Sequence, residues 1–130
     1  RGNALYRLKE YGRAIKSYKK AIQLDPRNPE FYYNLGQAYY RMREYNDAVK
    51  SYDKTIELDP RHYAAWYNRA CICSEQKDLK GAIEGLTRAI EAGFADSGRM
   101  KREAALANAR DLPEFQEILD KIGTRGDRPQ

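Results

Sequence analysis

Asn34 and Asn68 stand thirty-four residues apart, and a primary amide that both donates and accepts hydrogen bonds can grip a peptide backbone whatever side chains that peptide carries. Catalytic chemistry finds no comparable pattern. The single histidine, His62, sits beside Arg61 in what reads as a turn, with no Ser or Cys placed beside it as a nucleophile. Cys71 and Cys73 lie two apart in a helical stretch, so they point to different faces and cannot easily bridge each other. Two thiols and one imidazole cannot assemble a zinc site of four soft ligands. The cysteines read as free thiols, buried or half-buried, of the kind a reducing compartment keeps. Carboxylates are interspersed with Lys and Arg on helix faces, and none of the nine glycines builds a phosphate-cradling loop. The expectation is a non-enzymatic chain with no metal and no cofactor, so function is to be sought on a binding surface.

Composition narrows the class. The 130 residues are 42% hydrophobic and 33% charged, which suits one folded, soluble domain. No apolar run approaches the roughly eighteen residues of a membrane helix, so no membrane partner is expected. The chain opens at Arg1 inside a repeat, without a secretory pattern, and reads as a cytoplasmic fragment of something longer. Charge is uneven: residues 1–62 hold 13 Lys and Arg against 8 Asp and Glu, and residues 63–130 hold 11 of each. A basic first half favours an acidic partner.

The elements that would position these side chains repeat. Arg1–Asn28 and Leu35–His62 are identical at 16 of 28 aligned positions, and Tyr67, Asn68, Ala82, Ile90 and Glu91 extend the match into a third copy. A fixed period of this length implies stacked units and not one central site. Within a copy, Pro29 suits a first helical turn, and Phe31, Tyr32, Leu35, Tyr39 and Met42 recur at helical spacing until Arg43-Glu44 ends the run. Ala48, Val49, Tyr52, Ile56 and Leu58 then define a second helix that stops before Pro60. Gly36 and Ala48 mark the place where the two axes should cross most closely.

This pattern resembles the tetratricopeptide repeat family. Its signature is met by Tyr32, Leu35-Gly36, Tyr39, Ala48, Tyr52 and Pro60; the first copy keeps Gly2, Ala14, Tyr18, Ala21 and Pro26, and the third keeps Trp66, Ala70, Ala82 and Ala89. The resemblance implies an all-α fold, a right-handed α-solenoid of antiparallel helix pairs. Its expected divisions are a truncated repeat over 1–28, repeats over 29–62 and 63–96, capping helices over 97–122 and a flexible tail over 123–130. The cap is expected as one helix from Gly98 to Ala109 and another, capped by Asp111, carrying Leu112, Phe115, Ile118, Leu119 and Ile122 on one stripe.

In arrays of this family the first helix of each pair lines a concave groove. The resemblance therefore implies a peptide-binding stripe of Asn3, Tyr6 and Arg7; Tyr33, Asn34, Gln37, Tyr40 and Arg41; Tyr67 and Asn68; and Lys101 and Arg102 from the cap. The implied function is a scaffold that holds an extended peptide or partner segment, acidic or ending in a free carboxylate. The Asn34–Asn68 row is similar to the asparagine ladder in the repeat arm of O-linked N-acetylglucosamine transferases, so a regulatory arm of a larger enzyme is one alternative. A chaperone-type carboxylate clamp is another: Asn3 and Asn34 have its spacing, but Ala64 and Asn68 stand where it needs Lys and Arg. RNA binding through the basic surface ranks last, since most of the eleven tyrosines occupy packing positions. The broken first repeat predicts apolar surface near Ala14, Tyr18 and Ile22, and hence self-association through the N-terminal end.

Overall fold

The computed structural model describes residues 2–126, with side-chain environments for residues 7–122. The described residues form helices α1 (Gly2–Leu24), α2 (Pro29–Arg41), α3 (Tyr45–Leu58), α4 (Tyr63–Glu75), α5 (Leu79–Glu91), α6 (Ser97–Arg102) and α7 (Pro113–Gly126), with one 3₁₀ turn at Ala104–Leu106. No strand occurs among them. The chain divides into two compact units, Arg1–Pro60 and Arg61–Gln130.

In the first unit α2 packs against both α1 and α3. Asn28 caps α2 by accepting the Glu30 amide at 3.0 Å, and Pro29 occupies the first turn, where no amide hydrogen is needed. After α2, Arg43 takes a left-handed φ of 61°, and the Arg43 and Glu44 amides return to Tyr40 and Tyr39 carbonyls at 2.9 Å. That closure satisfies carbonyls the helix end would leave open and turns the chain back as α3. The crossing is tight: a Cβ on Gly36 would lie 2.7 Å from the Tyr52 ring, and both Tyr52 and Ala48 are fully buried.

The first copy departs from the expected helix pair. Residues 2–24 form one continuous helix, although Lys9 occupies the place of Arg43 in the repeat. Arg7–Tyr11 contains no helix breaker, and a left-handed Lys9 would cost about 1–2 kcal/mol. In α2 and α3 that cost is met by packing on both sides of the turn, and α1 lacks a preceding helix of the described chain to supply it.

The second unit repeats the hairpin. His62 and Asp78 cap α4 and α5 by accepting the Ala65 and Gly81 amides at 3.2 and 3.0 Å, and Lys77 supplies the left-handed turn with a φ of 64°. Here a Cβ on Gly85 would lie 2.9 Å from the Ala70 Cβ and 3.3 Å from the Trp66 carbonyl. The cap differs from the expected single helix over 98–109. α6 ends at Arg102, Glu103 is extended, and the 3₁₀ turn follows. The break lets Ala105 and Leu106 pack on α4, and the Asn108 amide donates to the Ser74 carbonyl at 2.9 Å. Arg110 donates to the Glu103 carbonyl, holding the bend. α7 turns Phe115, Ile118 and Ile122 inward and contacts α5 and α6. It continues to Gly126, beyond the expected end at 122; the rest of the expected tail, 127–130, lies outside the described residues.

Gly36→Leu is therefore expected to lower stability by about 1–3 kcal/mol, because the buried Tyr52 ring has nowhere to go. Gly12→Ala, where an added Cβ meets nothing within 4 Å, is expected to raise it by about 0.5–1 kcal/mol. Thermal melts of both variants check the pair, and equal, small shifts would show that the helix crossing is not the constraint.

Candidate peptide-binding site

In the first unit α1 and α2 bound an open cleft of about 380 Å³, lined by Glu10, Tyr11, Ala14 and Tyr18 from α1 and by Asn34, Gln37, Ala38 and Arg41 from α2. Asn34, Ala38 and Arg41 fall at helical steps of four and three, so α2 offers one continuous strip with amides at 34 and 37 and a guanidinium at its end. Arg41 is exposed, and Asn34 and Gln37 are half-buried. An amide held by its helix on one side and open on the other can meet a ligand backbone with little loss of side-chain freedom.

The expected stripe is only partly gathered there. Arg7 is exposed on the straight α1. The side chains of Asn3 and Tyr6 lie outside the described residues. Tyr33 and Tyr40 are half-buried and engage α3: Tyr33 meets Tyr52 with ring centroids 5.9 Å apart, and Tyr40 meets Tyr45 edge-on at 5.8 Å. Glu10 and Tyr11 line the cleft although the sequence did not mark them, and Tyr18 lines it as well.

The second unit corrects the expectation more sharply. Tyr67 is buried, not groove-lining: it stacks on Phe94 at 4.5 Å with 21° between the rings, and the Arg99 guanidinium covers its other face at 4.5 Å. Asn68 is also buried, at 9% exposure, and so is Cys71. Phe94 replaces the proline expected at the end of the third copy, and this substitution is the sequence signal for the stack. Lys101 and Arg102 are exposed on α6. Among the described residues no group of three or more His, Cys, Asp or Glu side chains could hold a metal ion. No helix there is long and apolar enough to cross a membrane.

The buried stack has an acid–base consequence. Burial pushes the Tyr67 phenol far above its ordinary range, with the Cys71 thiol and Glu103 carboxylate adding in the same direction and Arg99 opposing. Burial likewise raises the Cys71 thiol, with Glu103 adding to it and Arg99 opposing. Both groups stay protonated in the folded chain at a pH where the unfolded chain ionises them, from about 8.5 for Cys and about 10 for Tyr. Above that point the unfolded state binds fewer protons, so stability falls as pH rises. Melting temperatures should be insensitive to these groups near neutrality and decline above about pH 8.5. Cys71→Ala and Tyr67→Phe should each flatten the decline relative to their own neutral-pH values; an unchanged slope in both would show that these groups do not carry it.

The family model described as "TPR repeat" matches residues 2–42, and two described as "Tetratricopeptide repeat" match residues 29–62 and 51–84. The chain belongs to the tetratricopeptide repeat family, with about three repeats. Solved structures share the fold. One is the first tetratricopeptide domain of Spaghetti (RPAP3) bound to the HSP90 peptide SRMEEVD, at 21% identity and TM-score 0.63, covering 98% of this chain and 88% of that one. A second is the Yersinia enterocolitica type III secretion chaperone SycD with a peptide of the translocator YopD, at 21% identity and TM-score 0.65, covering 94% and 86%. A third is the TPR2B domain of yeast Sti1 in its pHsp70 complex, at 21% identity and TM-score 0.63, covering 95% and 91%. No curated protein sequence matches the chain.

Proposed function

We propose that this chain is a non-catalytic protein-interaction module that holds an extended partner segment along α2. Asn34 and Gln37 grip the segment's backbone, and Arg41 selects negative charge. The observation that carries the reading is the cleft between α1 and α2, where two amides and a guanidinium lie open along one helical strip. Amides serve any peptide backbone, since each can satisfy both an N–H and a C=O. A guanidinium prefers a carboxylate, which it can meet with two parallel hydrogen bonds.

An acidic partner segment is the finer reading. Arg41 is exposed at the end of the strip, and residues 1–62 carry the whole net charge of +5. The fold relatives bound to peptides lend support by analogy; the HSP90 peptide seen with Spaghetti carries two Glu and a terminal Asp. Tyr67 and Asn68 have no direct part in this scheme, because both are buried.

Calorimetric titration with an acidic peptide and a neutral one of equal length tests the proposal. Asn34→Ala and Gln37→Ala are each expected to weaken both peptides by about 0.5–1.5 kcal/mol. Arg41→Ala should weaken the acidic peptide by about 1.5–3 kcal/mol and leave the neutral one nearly unchanged. Peptide binding untouched by all three substitutions would overturn the site. Binding of RNA that is lost on removing Lys16, Lys19, Lys20 and Lys50, with a steep salt dependence, would point to the outer helices instead.

A further inference from the structure

The apolar wall of the same cleft has a sequence-encoded occupant. In the second copy Gly36–Met42 of the first helix packs back on Tyr45–Tyr52 of the next: Gly36 lies under the Tyr52 ring, and Tyr40 meets Tyr45 edge-on. The first copy holds the counterparts of both partners. Gly2, Ala4, Tyr6 and Arg7 match Gly36, Ala38, Tyr40 and Arg41, and Tyr11, Ala14 and Tyr18 are identical to Tyr45, Ala48 and Tyr52. In the first copy, however, the two complementary segments lie along one straight helix, so neither can fold back on the other within α1. The consequence is visible at the cleft. Tyr52 and Ala48 are fully buried, whereas Tyr18, Ala14 and Tyr11 remain half-exposed along the cleft wall.

We infer that residues 2–8 of a second copy of this chain dock on the Tyr11, Ala14 and Tyr18 face of α1, and that the first copy's residues 2–8 dock reciprocally on the second. Two copies related by a twofold axis would each supply the other with the counterpart of Gly36–Met42, an exchange of identical elements. The hinge is Lys9. Its counterparts Arg43 and Lys77 are left-handed, with φ of 61° and 64°, while Lys9 lies within a helix. A straight Lys9 gives the exchanged pair, and a left-handed Lys9 closes the repeat within one chain. Exchange also has a consequence for the cleft: the docked segment would lie against the α1 wall of the space proposed for a partner segment, so the two would compete for it. Only this last consequence rests on the peptide reading; the exchange itself does not.

Light scattering across a concentration series, together with cysteine cross-linking of mixed variants, tests the inference without any peptide. The wild-type chain should be dimeric at high concentration. Lys9→Gly removes the side-chain penalty of the left-handed turn and should weaken the dimer at least about tenfold, while Lys9→Ala should not weaken it. Because the aligned rings of Tyr40 and Tyr45 touch, copies carrying Tyr6→Cys mixed with copies carrying Tyr11→Cys should form a disulfide-linked dimer, well above either variant alone. A strictly monomeric wild-type chain would overturn the inference. So would a dimer that cross-links equally in unmixed samples, or one that ignores Lys9→Gly.

Discussion

Everything in a hairpin of this chain depends on one close approach, a helix laid against its neighbour where a glycine leaves no room for a side chain. In the first unit the space beside Gly36 is taken by the Tyr52 ring, and in the second the space beside Gly85 is taken by Ala70 and the Trp66 carbonyl. The glycine is on the first helix in one hairpin and on the second helix in the other. The contact is thus preserved by geometry while its chemistry moves. Once the axes are that close, Ala48 and Ala82 are buried completely, and the flanking rings find partners across the crossing.

The turns follow from that contact. Arg43 and Lys77 are left-handed without being glycine, at a cost of about 1–2 kcal/mol each. Burying a large apolar side chain returns about 1.5–3 kcal/mol, and each crossing buries several, so the packing outweighs the strained turn. Where only one side of the turn has cover, the balance reverses. α1 continues through Lys9 as helix, although its sequence there is nearly that of Arg41–Tyr45. The same few residues have two conformations in one chain, and the neighbours decide between them.

How much was legible in the sequence follows from the same distinction. Helices α2 to α5 and the Gly36 crossing are written in spacing and in local chemistry, so periodicity finds them. The straight α1 is not, because Arg7-Leu8-Lys9-Glu10 is as good a turn as it is a helix until its surroundings are known. The bend at Glu103 is equally hidden, since it is held by Asn108 reaching Ser74, thirty-four residues away. At the candidate site, the strip of Asn34, Gln37 and Arg41 follows from the family resemblance together with the period. The places of Tyr67 and Asn68 do not: period assigns them to the same strip, but Phe94 and Arg99, some thirty residues on, enclose Tyr67 from both faces.

That enclosure explains why the third repeat diverges without losing its fold. A proline at the end of the repeat would only stop the helix, whereas here Gly93 takes a φ of 123° and lets Phe94 turn inward onto Tyr67. The ring stack fixes where α6 begins, Asp96 caps it by accepting the Arg99 amide at 2.9 Å, and the same Arg99 then lies over Tyr67. The tyrosine that period alone would give to a ligand serves instead as the seat of the cap. The second unit is closed by this stack, and the polar strip proposed to hold a partner segment lies on α2.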